Sequence, residues 1–208
     1  MQTFVWLNPV AQAMYGGQDL DDQLVQHGFV QVQCSKDHIG AVKEKYRQAV
    51  RAANGCVADV RCPMAVDYIR DTYAPDGLEY PPIEPILLHC ARELHGALQQ
   101  GEHLIVTTPC AALSAQGNAL RLPNIEFVPF LQFAGREGIT LSQKPLQSSP
   151  IPPGFFTEYG DRVRVLDSRE EIDRYFSAPD ALGSEQILEL LYCPQGCHNG
   201  DGIIGGGT

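Results

Sequence analysis

The amino-acid sequence predicts an α/β fold with mainly parallel sheets and flanking helices. Seven short apolar runs have strand length, four helical patterns lie among them, and the two kinds alternate along the chain. The strand candidates are Phe4–Val10, Phe29–Cys34, Val57–Cys62, Leu104–Cys110, Glu126–Phe130, Arg162–Leu166 and Ile187–Cys193.

The helical patterns follow from spacing. In His38–Ala53, Ile39, Val42, Tyr46, Ala49 and Val50 recur at helical intervals. Met64–Tyr73 and Pro85–Leu98 read the same way. Ser168–Phe176 opens Ser-Arg-Glu-Glu, with a Glu three residues after a Ser, which is the capping-box signature of a helix start. Pro75–Pro85 carries four prolines and reads as a loop. Residues 143–160 hold Pro145, Pro150, Pro152 and Pro153 and read as a long connection. The glycine-rich stretch 200–208 reads as a flexible tail.

Composition limits the function classes. At 208 residues the chain has room for one large α/β domain or two small intertwined lobes. A formal net charge of −10 repels phosphate backbones and anionic lipid, so neither nucleic acid nor membrane is an expected partner. No apolar stretch has the length of a membrane span, and Met1-Gln2-Thr3-Phe4 lacks a signal peptide's basic start. Seven cysteines, an odd number in a chain too large to need disulfide staples, point to a reducing cytoplasm and to metal or redox chemistry.

The cysteines are placed unevenly. Cys34, Cys62, Cys110 and Cys193 each close an apolar run, and Cys197 follows Cys193 by four residues. Ligands of open α/β sheets bind beyond the carboxyl ends of the strands, so cysteines distant in sequence can converge there. Pro63, Pro109 and Pro194 adjoin Cys62, Cys110 and Cys193, and proline cannot continue a ladder. Cys193-Pro194-Gln195-Gly196-Cys197 sets two thiols across one tight turn, with Gly196 free to take positive φ. Thiolates suit iron–sulfur clusters and zinc. The plainer reading is a buried cysteine serving as a small hydrophobe, and it is the one expected for Cys34, Cys56 and Cys90.

Three motifs carry a resemblance to a family. Asp59-Val60-Arg61-Cys62-Pro63, Pro109-Cys110-Ala111-Ala112-Leu113 and Cys193-Pro194-Gln195-Gly196-Cys197-His198-Asn199-Gly200 occur in that order. They resemble Thr-Ser-Cys-Cys-Pro, Pro-Cys-x-Ala-Lys and Cys-Pro-Gly-Gly-Cys-x-x-Gly of the C-terminal, cluster-binding domain of iron-only hydrogenases. The resemblance implies a single domain over 1–208, built as two intertwined lobes of approximately 1–100 and 101–200. It implies a 4Fe–4S cluster in the cleft between them, held by Cys62, Cys110, Cys193 and Cys197. Beside the family pattern, which gives Cys90 no role, Arg61, Cys90 and His198 are candidates to surround it, from their places next to Cys62, before the second motif and next to Cys197.

The chain departs from the family pattern where the chemistry lies. Arg61 replaces a proton-relaying cysteine, and guanidinium does not give up its proton. Leu113 replaces a lysine that anchors the di-iron subsite, and the expected glycine-rich stretch with a methionine is not visible. The expectation is therefore a cubane cluster without the di-iron subcluster and without catalytic residues. Its role would be electron transfer or redox and gas sensing, served by a redox partner protein or by other domains supplying electrons. Two alternatives stay open: an active hydrogenase or other redox enzyme with an altered site, and a zinc-stabilised interaction module.

Overall fold

A computed structural model describes residues 2–146, 148–178 and 182–204. The chain begins with β1 (Thr3–Trp6), α1 (Pro9–Tyr15), α2 (Gln18–Gln26), β2 (Phe29–Gln31) and α3 (His38–Ala52). It continues through β3 (Cys56–Ala58), α4 (Pro63–Thr72), β4 (Leu78–Glu79), α5 (Ile86–His95), β5 (His103–Thr108) and α6 (Ala111–Ala119). It closes with β6 (Ile125–Pro129), α7 (Phe130–Glu137), β7 (Val163–Leu166), α8 (Arg169–Phe176) and β8 (Ile187–Leu190). The fold is α/β, with two four-stranded sheets, each wholly parallel. Among the described residues no helix is long and apolar enough to cross a membrane.

The chain divides into two compact units made of interleaved segments. One comprises 1–36, 87–151 and 197–208, and the other 37–86 and 152–196. The sequence predicts intertwined lobes of approximately 1–100 and 101–200, and the units interleave at the boundaries just given. The sheet pairings set the division: β1 pairs with β2 and β5, whereas β3 pairs with β4 and β8.

In the first unit the strand order is β2-β1-β5-β6. Its core gathers Val5, Leu7, Met14, Ile105, Phe130 and Phe133. The apolar run Phe4–Val10 does not stay extended to its end. Asn8 Oδ1 accepts the backbone N–H groups of Val10 and Ala11 at 3.1 and 3.0 Å, and Pro9 takes the first helical position, so α1 starts there. Helix α6 is fixed to β6 by polar contacts. Asn118 donates to Phe127 O at 2.7 Å and accepts from Phe127 N at 3.0 Å. Gly117 permits the close approach, since a Cβ there would lie 2.4 Å from the Phe127 ring.

Residues 200–204 correct the expectation of a flexible tail. Ile203 is wholly buried in this core, and Tyr15 Oη donates to its carbonyl at 2.8 Å. Residues 205–208 of the expected tail lie outside the described residues.

In the second unit the order is β4-β3-β8-β7. Every residue of β8 is buried, as a central parallel strand covered on both faces requires. One core cluster joins Ala58, Ile69, Leu166, Ile172 and Leu188, and another joins Val42, Tyr46, Val57, Phe156 and Ile187. Ser168 caps α8 as expected, its Oγ accepting Glu171 N–H at 3.2 Å. The proline-rich stretch 75–85 is not wholly loop. It contributes the two-residue β4, paired with Cys56 and Val57.

Candidate metal centre

In the second unit, β3 and β8 are adjacent parallel strands, and both chains leave the sheet at the same, carboxyl end. Cys62 lies four residues beyond β3 and Cys193 three beyond β8. Cys62 takes the N-cap position of α4, and Pro63 begins the helix. Burial pushes the Cys62 thiol up, while the backbone N–H groups of Ala65 and Tyr192 favour its thiolate. The Cys193 carbonyl accepts Gly196 N–H at 3.1 Å, closing a turn in which Gln195 and Gly196 both have positive φ, 62° and 119°. The turn chemistry read from Gly196 is thus present.

In the first unit, Cys110 follows β5 and caps α6, its Sγ accepting Leu113 N–H at 3.4 Å. Cys197 opens a short 3-10 turn, Cys197–Asn199. The two segments are held together. Gly202 N–H donates to Pro109 O at 3.1 Å, and Ala111 N–H donates to Asp201 Oδ1 at 3.0 Å. Gly200 packs on the same carbonyl, because a Cβ there would lie 2.4 Å from Pro109 O. Leu113, where the family places lysine, is 7% exposed and offers no donor.

Arg61 is a buried ion-pair member. It bonds Asp59 through Nε to Oδ1 at 2.9 Å and through NH2 to Oδ2 at 2.6 Å. Its guanidinium carbon lies 3.6 Å from the Phe155 ring centroid and its NH2 is 3.7 Å from Glu189 Oε1. Burial opposes the Arg61 charge, but the Asp59 carboxylate overrides it and raises the pKa. Tyr46 Oη donates to Asp59 Oδ1 at 3.0 Å and accepts Val60 N–H at 2.9 Å. Burial and the Asp59 charge both push the Tyr46 phenol up. Glu189 accepts the N–H groups of Gly154, Phe155 and Phe156 at 2.8, 3.0 and 3.3 Å. This network ends one residue before Cys62. Sequence inspection missed Glu189, although a Glu among Ile187, Leu188 and Leu190 in a strand expected to be buried is itself a sign of a partnered carboxylate.

Among the described residues the buried Nδ1 of His198 has no hydrogen-bond partner, and its Nε2 lies 3.2 Å from Asn199 Nδ2. Cys90, expected near the cluster, has another sulfur beside it: Cys34 Sγ is 3.0 Å away. Burial, with Cys34 as neighbour, pushes the Cys90 thiol up. Cys56 sits at the amino end of β3, where a cleft lined by Asp76, Leu182 and Glu185 opens. Burial first, then the Glu185 charge, raise its thiol to about 12.

No protein-family model matches the sequence, and a search of curated proteins gives no match. The resemblance to iron-only hydrogenases accordingly rests on the three cysteine motifs.

Proposed function

We propose that this chain binds a 4Fe–4S cluster through Cys62, Cys110, Cys193 and Cys197 and uses it for electron transfer or redox sensing. The observation that supports it most is the shared carboxyl-end position of Cys62 and Cys193 on adjacent parallel strands. Cys110, just beyond β5, and Cys197, opening a 3-10 turn, lie on segments joined by the Pro109–Gly202 hydrogen bond. The donor set fits the group, since four thiolates are the usual ligands of a cubane. The N–H groups that favour the Cys62 thiolate suit it further. Such a cluster supplies one-electron chemistry at a potential set by hydrogen bonds and exposure. The pairing of Arg61 with Asp59 and the burial of Leu113 support a cluster without a di-iron subsite. The electrons would come from a separate redox protein or from other domains.

Anaerobic purification and reconstitution with iron and sulfide test this reading. The expected result is a brown protein with about four iron and four acid-labile sulfide per chain. Stoichiometric zinc with negligible sulfide would replace the cluster with a zinc-stabilised module.

A further inference from the structure

The first unit contains a second sulfur site, made of residues that the cluster reading leaves unused. Cys34 lies three residues beyond β2 and Cys90 lies in α5, and their Sγ atoms are 3.0 Å apart. An S–S bond is about 2.05 Å long, so closure needs an approach of roughly 1 Å.

The apposition has its own support. Glu93 stands three residues after Cys90, on the same face of α5. Its Oε1 accepts both the N–H and the hydroxyl of Ser35, at 2.9 and 2.7 Å, and its Oε2 accepts Lys36 N–H at 3.3 Å. One helix face therefore holds the segment just after Cys34 by charge-assisted hydrogen bonds that do not depend on the state of sulfur. The two thiols also differ in access. Cys34 is half-buried, whereas Cys90 is 5% exposed.

We propose that Cys34 and Cys90 are a redox-active dithiol that closes reversibly to a disulfide, with Cys34 as the entry thiol and Cys90 as the resolving thiol. The oxidant is a low-molecular-weight disulfide. The Cys34 thiolate attacks one of its sulfurs, forms a mixed disulfide and expels one thiolate. The Cys90 thiolate then attacks Cys34 Sγ, forms the Cys34–Cys90 bond and expels the second. Two protons leave the protein thiols, and two electrons reduce the oxidant to two thiols. Closure would tie the segment beyond the edge strand β2 covalently to α5. Neither cysteine is among the four proposed cluster ligands, and the readout is confined to Cys34 and Cys90.

The test uses the full chain, purified anaerobically and equilibrated in mixtures of reduced and oxidised glutathione. Samples are acid-quenched, alkylated, digested and weighed. The expected result is a Cys34–Cys90 linked peptide, two hydrogens lighter than its separate halves, formed in oxidised buffer and lost in excess reduced glutathione. Cys34→Ser should leave Cys90 alkylated and free of glutathione. Glu93→Gln should slow closure by about tenfold, through looser positioning, and reach the same end state. Should Cys34→Ser fail to fold, the Glu93→Gln rate and the wild-type linkage map carry the test. Full alkylation of both cysteines in oxidised buffer overturns the proposal, as does linkage of either one to a different cysteine. So does a zinc ion retained on Cys34 and Cys90, with His38 four residues along the sequence from Cys34 as a further donor.

Discussion

Arg61 and Asp59 are joined at two points, 2.9 and 2.6 Å, with Asp59 wholly buried and Glu189, equally buried, 3.7 Å from the same guanidinium. One cation thus sits between two interior carboxylates. Arg61→Ala leaves both without it, and orphaning a buried charge of this kind costs about 3–5 kcal/mol. The expected outcome is a lower urea midpoint with an unchanged slope. A variant as stable as the parent would show that the pair is not a structural requirement.

The ligand assignment predicts a pattern across cysteines. Ala at Cys62, Cys110, Cys193 or Cys197 should cut iron and sulfide together, by more than the roughly 10–100-fold that a lost supporting contact costs. Cys56→Ala should keep the cluster, because Cys56 lies at the amino end of β3. Iron and sulfide analysis of the five variants decides it, and loss of cluster from Cys56→Ala with retention in Cys193→Ala would refute the set.

Gly200 tests the link between the Cys110 and Cys197 segments. A Cβ there would meet Pro109 O at 2.4 Å and Cys197 O at 3.1 Å. Gly200→Ala should cost about 1–3 kcal/mol and lower cluster retention. Gly135→Ala is the control, since among the described residues a Cβ there meets nothing within 4 Å and the site is helical. It should be neutral or stabilising by about 0.5–1 kcal/mol. Thermal melts with parallel iron analysis check both.

Cys56 gives an alkaline prediction. Its thiol is raised from an ordinary 9.0 to about 12 in the folded protein, by burial first and then by Glu185. A raised folded value means that the folded state holds the proton more tightly. The associated stability is complete below pH 9 and is lost between about pH 9 and 12. Cys56→Val should flatten this alkaline decline. Urea midpoints measured from pH 8 to pH 11 would show it, and parallel curves for the two proteins would count against it.

Arg61 and Leu113 predict the absence of hydrogen chemistry. The guanidinium is fixed on Asp59, and the leucine offers no ammonium. Offered a synthetic di-iron complex and reduced viologen, the reconstituted protein should evolve no H₂ and show no bound CO or CN⁻ infrared bands. It should still accept one electron reversibly. Sharp protein-bound bands with turnover would restore the hydrogenase alternative.

Much of the fold was readable because apolar patterning fixes parallel strands. All seven expected strands overlap an observed one, although Phe29–Cys34 shrinks to Phe29–Gln31 and Ile187–Cys193 to Ile187–Leu190. Apolar runs continue past the last ladder bond, into the turns that carry the cysteines. Four helices escaped the reading. Helix α1 was hidden because Asn8 and Pro9 were read as strand, although together they mark a helix start. In α6, Ser114 and Gly117 face β6, so no apolar stripe announces the helix. The cysteine turns were legible through proline and glycine. The Cys34–Cys90 contact was not, because a contact across 56 residues leaves no local trace.

The interleaving of segments also sets an order of completion during synthesis. The chain passes between the units at 36/37, 86/87, 151/152 and 196/197. The second unit has all its strands once β8 has been made. The first unit, which holds the earliest residues, must wait for Ile203 to fill its core and to receive the Tyr15 hydroxyl. A ribosome translating this chain therefore finishes the middle before it can finish the beginning. The nascent β1 can pair with β2 at once, but its other edge stays open until β5, residues 103–108, has been made.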